Sequence, residues 1–100
     1  MQTKMNEIDF SKPIDYNQPI LMTYFQKEPI IFTKFGPYHG PVTLQYLPYG
    51  GIQSVFHGHL IIHIVNGFMS VDELIYQGII YQSDEFITRY PDLVNQVLPN

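Results

Sequence analysis

Cysteine and tryptophan are absent from this chain, and only five lysines and arginines stand against nine acids. Without cysteine there is no disulfide framework and no thiolate metal site, so the small secreted disulfide scaffold is excluded and a cytoplasmic protein is expected. No apolar run is long enough to span a bilayer, and the opening MQTKMNEIDFSKP lacks the apolar stretch of a signal peptide, so no membrane partner is expected. Charge is scarce as well, at 14% of residues, and no basic stripe of the kind that neutralises phosphates occurs, which argues against nucleic acid. The glycines follow neither a G-x-G-x-x-G nor a P-loop order, so they punctuate turns and do not cradle phosphate.

The charges that exist are segregated. Glu7, Asp9, Asp15 and Glu28 balance Lys4, Lys12, Lys27 and Lys34, whereas Phe35 to Val71 carries no charged residue and holds all four histidines. Beyond Val71, Asp72, Glu73, Asp84, Glu85 and Asp92 face only Arg89. What is abundant is apolar and aromatic: 45% hydrophobic residues, with 8 tyrosines and 7 phenylalanines spread along 100 residues, enough for one packed domain and one core.

That domain reads as antiparallel sheet. Residues 1–12 mix charge and polarity without periodicity and are expected to be flexible. Ile20 to Phe25 and Ile30 to Phe35 form a first hairpin around the polar turn Gln26-Lys27-Glu28-Pro29. Gly36 to Pro41, with two prolines, is expected to be a loop. Val42 to Leu47 and Ile52 to Phe56 alternate as half-buried strands around Pro48-Tyr49-Gly50-Gly51. At His57-Gly58 the chain either runs on to Val65 or reverses, making Leu60 to Val65 a returning strand. Asn66-Gly67 supplies the positive φ angles of a two-residue turn. In Phe68 to Tyr76, Met69, Val71 and Ile75 are expected on one side, with Asp72-Glu73 marking a bulge or an exposed edge. Gln77-Gly78 is a further reversal, Ile79 to Gln82 the last strand, and Ser83-Asp84-Glu85 a helix start capped by Ser83. The fold class is therefore mainly β, an antiparallel β-meander or small partly closed barrel over residues 20–82, with a short C-terminal helical region over residues 83–98.

One constellation has the residue types for metal chemistry. On an uninterrupted strand His57, His59 and His63 share a face, and imidazoles at i and i+2 with a third nearby suit zinc or iron. With Gly51 upstream the stretch also looks like the front of the cupin metal motif, but His63 stands where that motif has glutamate, and the later P-x-G with its histidine is missing. Sheet-surface or interface histidines are the simpler reading, so neither metal nor cofactor is expected. The serines lack nucleophile-elbow glycines, and Asp72-Glu73 and Asp84-Glu85 are neighbours in sequence that read as solvated faces rather than an acid–base pair. No catalytic residue is assigned and no enzyme is expected.

The tail Ile75-Tyr76-Gln77-Gly78-Ile79-Ile80-Tyr81-Gln82-Ser83-Asp84-Glu85-Phe86 resembles the closing unit of degenerate MORN-like hairpin-repeat proteins of phages, large viruses and bacteria. Gly40-Pro41-Val42 and Phe56-His57-Gly58-His59-Leu60 are similar to their earlier units. Gln77 replaces the usual Asn, and the period is lost before Gly40. The resemblance implies an interaction module with no catalytic residues to carry over.

The expected role follows from both readings: a small accessory binding protein, encoded by a phage or mobile element, that binds and inhibits a host macromolecule. A protein partner and a homo-oligomer are expected, because the uncharged middle lacks the lysines and acids that guard free sheet edges. The interface candidates are Tyr46, Tyr49, Phe56, His57, His59, His63 and Phe68. The alternatives are a metal-dependent cupin-like protein using the histidines, or a protein that sequesters a small planar ligand between tyrosine and histidine rings.

Overall fold

The computed structural model describes residues 7–42, 48–56 and 59–99. Among them the chain forms β1 (Leu21–Phe25), β2 (Glu28–Tyr38), β3 (Ile52–Phe56), β4 (His59–Ile64), β5 (Gly67–Tyr76), β6 (Ile79–Gln82) and the helix α1 (Ser83–Arg89), followed by a 3₁₀ turn at Pro91–Leu93. Every strand pairing is antiparallel, in the order β1-β2-β5-β4-β3 with β6 also on β5. The mainly β fold with a short helix near the C-terminus is thus as expected. β3, β4, β5 and β6 follow one another as hairpins, but β2 pairs with β5 rather than β3, so one connection crosses over.

β5 is the central strand. β2 runs along one of its edges, from Ile30 opposite Tyr76 to Tyr38 opposite Phe68. β4 takes the first half of the other edge and β6 the second half. Where β4 gives way to β6, the buried Ser83 hydroxyl donates to the Val71 carbonyl. The expected cap is therefore corrected: Gln82 is the N-cap residue, its backbone N–H donating to Glu85 Oε1 at 2.9 Å, while Ser83 serves the sheet.

The first reversal is tighter than expected. Phe25 pairs with Glu28, leaving Gln26 and Lys27 as a two-residue turn with φ of 53° and 66°, the geometry of a type I′ turn. Pro29 is accepted inside β2 because it lies beyond Ile30, the last β2 residue paired with β5. The expected loop at Gly36–Pro41 is shortened to residues 39–41. Gly36, Pro37 and Tyr38 continue β2 opposite Ser70, Met69 and Phe68, and β1 covers β2 only as far as Phe32, so Pro37 sits where the outer edge has no paired strand among the described residues. The expected strand at Val42 to Leu47 falls mostly on residues outside those described.

His57 and Gly58 lie outside the described residues, but the chain reverses between Phe56 and His59, which pair as β3 lies antiparallel to β4. At Asn66-Gly67 the chain also reverses, with φ of 68° and 144°, yet Ile64 pairs with Gly67, so the residues between the strands are Val65 and Asn66. The bulge in β5 is real: Phe35 pairs with Val71 and Lys34 with Glu73, leaving Asp72 as the extra residue on β5, while Phe32 pairs with Leu74 and leaves Thr33 as the extra residue on β2. One consequence corrects the expected facing. The inward set switches from Met69 and Val71 to Leu74 and Tyr76, and Ile75 turns to the outer face.

The core lies within the curl of this sheet and is closed by α1 and by both ends of the chain. Phe86 from α1 meets Phe25 and Tyr76 at centroid distances of 5.8 and 5.5 Å, and Tyr76 donates its hydroxyl to the Phe25 carbonyl. The expected helix through residue 98 stops early. After Leu93 the chain extends, and residues 95–98 hydrogen-bond along the free side of Gly50 to Ile52. At the other end Ile8 N–H donates to the Met22 carbonyl, and Ile8 and Phe10 are buried, so the expectation of a flexible start is corrected for residues 7 to 10. The two ends meet near Gly50, whose φ is +91° and where a Cβ would lie 2.6 Å from the Leu98 carbonyl oxygen. Thr23 Oγ1 reaches the Pro99 carbonyl at 3.2 Å, tying the tail to β1.

Candidate functional site

The candidate site is the outer face of the sheet, away from the core. Alternation on β4 sends Leu60, Ile62 and Ile64 inward and His59, Ile61 and His63 outward. On the neighbouring β5, Phe68 lies opposite His63 and Ser70 opposite Ile61. Tyr49 is brought to the same place by its turn: Gly50 N–H donates to the His63 carbonyl at 2.8 Å, and His63 N–H donates to the Gly51 carbonyl at 2.8 Å.

The result is a run of three rings in one patch. The His63 imidazole lies 5.1 Å from the Tyr49 ring and 5.3 Å from the Phe68 ring, tilted by 48° and 35°. Such separations are those of favourable aromatic contacts. Tyr49 is 44% exposed, so the patch is presented to solvent rather than packed away. Beside it, a cavity of about 230 Å³ is lined by Ile14, Tyr16, Tyr38, His39, Asn66 and Phe68, without a charged side chain. Tyr16 also packs on Phe35, and burial raises its phenol pKa.

His59 is separate from the ring patch. Its Nδ1 lies 3.0 Å from Asp72 Oδ1, the carboxylate of the bulge residue, and both side chains are about half exposed. Between them the face is covered, since Ile61 and Gln53 are each 1% exposed. The uninterrupted strand on which His57, His59 and His63 would share a face is broken by the reversal between Phe56 and His59. Among the described residues no three His, Asp or Glu side chains gather in a metal-binding arrangement; His57 lies outside them. Tyr46 also lies outside, and Phe56 enters only as backbone of β3. Of the seven expected interface residues, the structure brings together Tyr49, His63 and Phe68.

The paired acids act in local structure. Glu73 accepts from the Thr33 hydroxyl at 2.9 Å and from the Gln82 amide at 3.1 Å, with Lys34 Nζ 3.8 Å away. These contacts, the Thr33 hydroxyl first, hold its carboxyl below the usual range. Asp84 accepts the Glu85 N–H in the first turn of α1.

Sequence reading missed a second feature of the outer face. Met22 pairs with Ile31, Ile31 with Ile75 and Ile75 with Ile80, which lays four aliphatic side chains in a row across β1, β2, β5 and β6. None belongs to the core cluster, and Ile80 is 64% exposed. The Ile79-Ile80 doublet was the available signal, because adjacent strand residues point to opposite faces and one isoleucine must face outward.

No protein-family model matches the chain, and no curated protein matches it.

Proposed function

We propose that this protein is a non-catalytic binding module that docks on a protein partner through the Tyr49–His63–Phe68 patch and inhibits that partner by covering it. The observation that carries this reading is the uncharged group of three rings seated on hydrogen-bonded strands, with Tyr49 at its exposed margin. Tyrosine and phenylalanine supply large contact areas at little cost in side-chain freedom, and interface centres are depleted in charge. The absence of a basic stripe directs the reading to protein rather than nucleic acid. The hairpin-repeat resemblance of residues 75–86 is consistent with an accessory protein of a phage or mobile element.

The cavity of about 230 Å³ beside the patch favours one second reading, capture of a small planar molecule between tyrosine, histidine and phenylalanine rings. One experiment separates the two. Immobilised protein is exposed to lysate of its host beside a Tyr49→Ala/Phe68→Ala variant, and bound material is identified by mass spectrometry after elution and after denaturation. A partner protein retained by the wild type and lost with the variant is the expected result. A protein retained equally by both overturns the patch, and a small molecule released only on denaturation moves the reading to ligand capture.

A further inference from the structure

The aliphatic row lies on a different part of the outer face from the ring patch. We infer that it is the contact surface between two copies of this chain, packed face to face about a twofold axis running parallel to the strands between β2 and β5.

The row itself is symmetric enough to meet its own copy. A twofold along the strands reverses the order β1-β2-β5-β6, so β1 lies over β6 of the second copy and β2 over β5. Met22 then faces Ile80, and Ile31 faces Ile75, twice each. Aliphatic side chains on two inner faces interdigitate in this way in packed sheets. An exposed isoleucine in a row of four aliphatics is removed from water by such a contact.

Charge selects the second copy as the occupant. Lys34 and Glu73 are register partners on β2 and β5, the two strands that the axis exchanges. The rotation keeps their level along the strands, so Lys34 of each copy lies over Glu73 of the other. The Lys34 side chain is 69% exposed, with its ammonium 3.8 Å from Glu73 of its own chain, and Glu73 faces the same side as the row, so the two copies bring two such pairs together. At the opposite margin, the Gln26-Lys27 turn lies over the uncharged Gln77-Gly78 turn, so no like charges meet there. The contact is complementary on one side and free of charge conflict on the other. The edges of the uncharged middle are a poorer route to self-association: β4 and β5 are interior strands, and residues 95–98 occupy the free side of Gly50 to Ile52.

Light scattering and sedimentation on the full chain test this. The wild type is expected to be a dimer at neutral pH, and Ile80→Lys a monomer with a native circular-dichroism spectrum, since Ile80 is largely exposed already. K34E and E73K alone each weaken the dimer by about tenfold or more, and an equimolar mixture of the two restores it, because each variant then offers the charge that the other lacks. Tyr49→Ala leaves the dimer intact. A monomeric wild type at high concentration, an Ile80→Lys dimer, a mixture that fails to recover, or dissociation by Tyr49→Ala each overturns the inference.

Discussion

Glu73 links three strands across the outer face. Its carboxylate joins β2, β5 and β6 by accepting from Thr33 and Gln82 while Lys34 stands nearby. These bonds favour the ionised form, so the folded-state pKa lies below the ordinary 4.5 of an unfolded glutamate. Their contribution is fully present above pH 4.5 and is lost as pH falls through the lower folded value. Asp9 acts in the same direction through Ser11. Chemical denaturation between pH 6 and pH 3 is therefore expected to show a fall in wild-type stability that is smaller in Glu73→Gln, with the remainder traceable to Asp9→Asn. Equal acid sensitivity of wild type and Glu73→Gln would remove Glu73 from this role. Ser83 shows the same economy at one atom, because a hydroxyl expected to cap a helix instead satisfies a carbonyl of the sheet.

Among the elements, three tight reversals that lie within the described residues differ in how well their residues suit them. Gln77-Gly78 has φ of 51° and 78°, with glycine at the second position, as a type I′ turn prefers. Gln26 and Lys27 adopt similar angles with no glycine, and each non-glycine residue in the left-handed region costs about 1 kcal/mol. Replacing Gln26-Lys27 by Asn-Gly is expected to raise stability by about 1 kcal/mol, whereas Gly67→Val, at φ of 144°, lowers it by about 1 kcal/mol or more. A Cβ at Gly67 meets nothing within 4 Å, so that loss reports backbone strain rather than a clash at that atom. Urea unfolding of both variants checks the pair; changes of the same sign would mean that turn geometry does not control these hairpins.

For the molecule as a whole, closure depends on the chain ends. Residues 7 and 8 lie along β1, residues 95–98 lie along Gly50 to Ile52, and Thr23 bonds the Pro99 carbonyl between them. Leu98 is 3% exposed in this closure. Truncating it to alanine leaves a cavity where the tail meets the core and is expected to cost about 2–4 kcal/mol, a large share of the roughly 5–15 kcal/mol that a domain of this size commands. Thermal unfolding of Leu98→Ala is the measurement, and a midpoint within error of the wild type would mean that the tail is not part of the cooperative unit. The same closure bears on the proposed docking, since the turn presenting Tyr49 begins where the tail is anchored.

How much of this was legible in the sequence depends on the range over which each feature is decided. The last strand, the Gln77-Gly78 reversal and the start of the helix were readable because alternation and positive φ are settled by a few adjacent residues. That Tyr49, His63 and Phe68 share an uncharged stretch was readable, although their contact required a β3–β4 register that the His57-Gly58 fork left open. Tertiary structure alone decided the rest. Asp72-Glu73 was legible as a bulge or an exposed edge, but only the register placed the extra residue at Asp72, which reversed the facing of Ile75 and so exposed the aliphatic row. Pro37 remained in a strand because its outer edge was free, and residues 95–98 left the helix because an unpaired side of Gly50 to Ile52 was available to them. Local sequence reports what a segment can adopt; which backbone groups need a partner is known only once distant strands are in register.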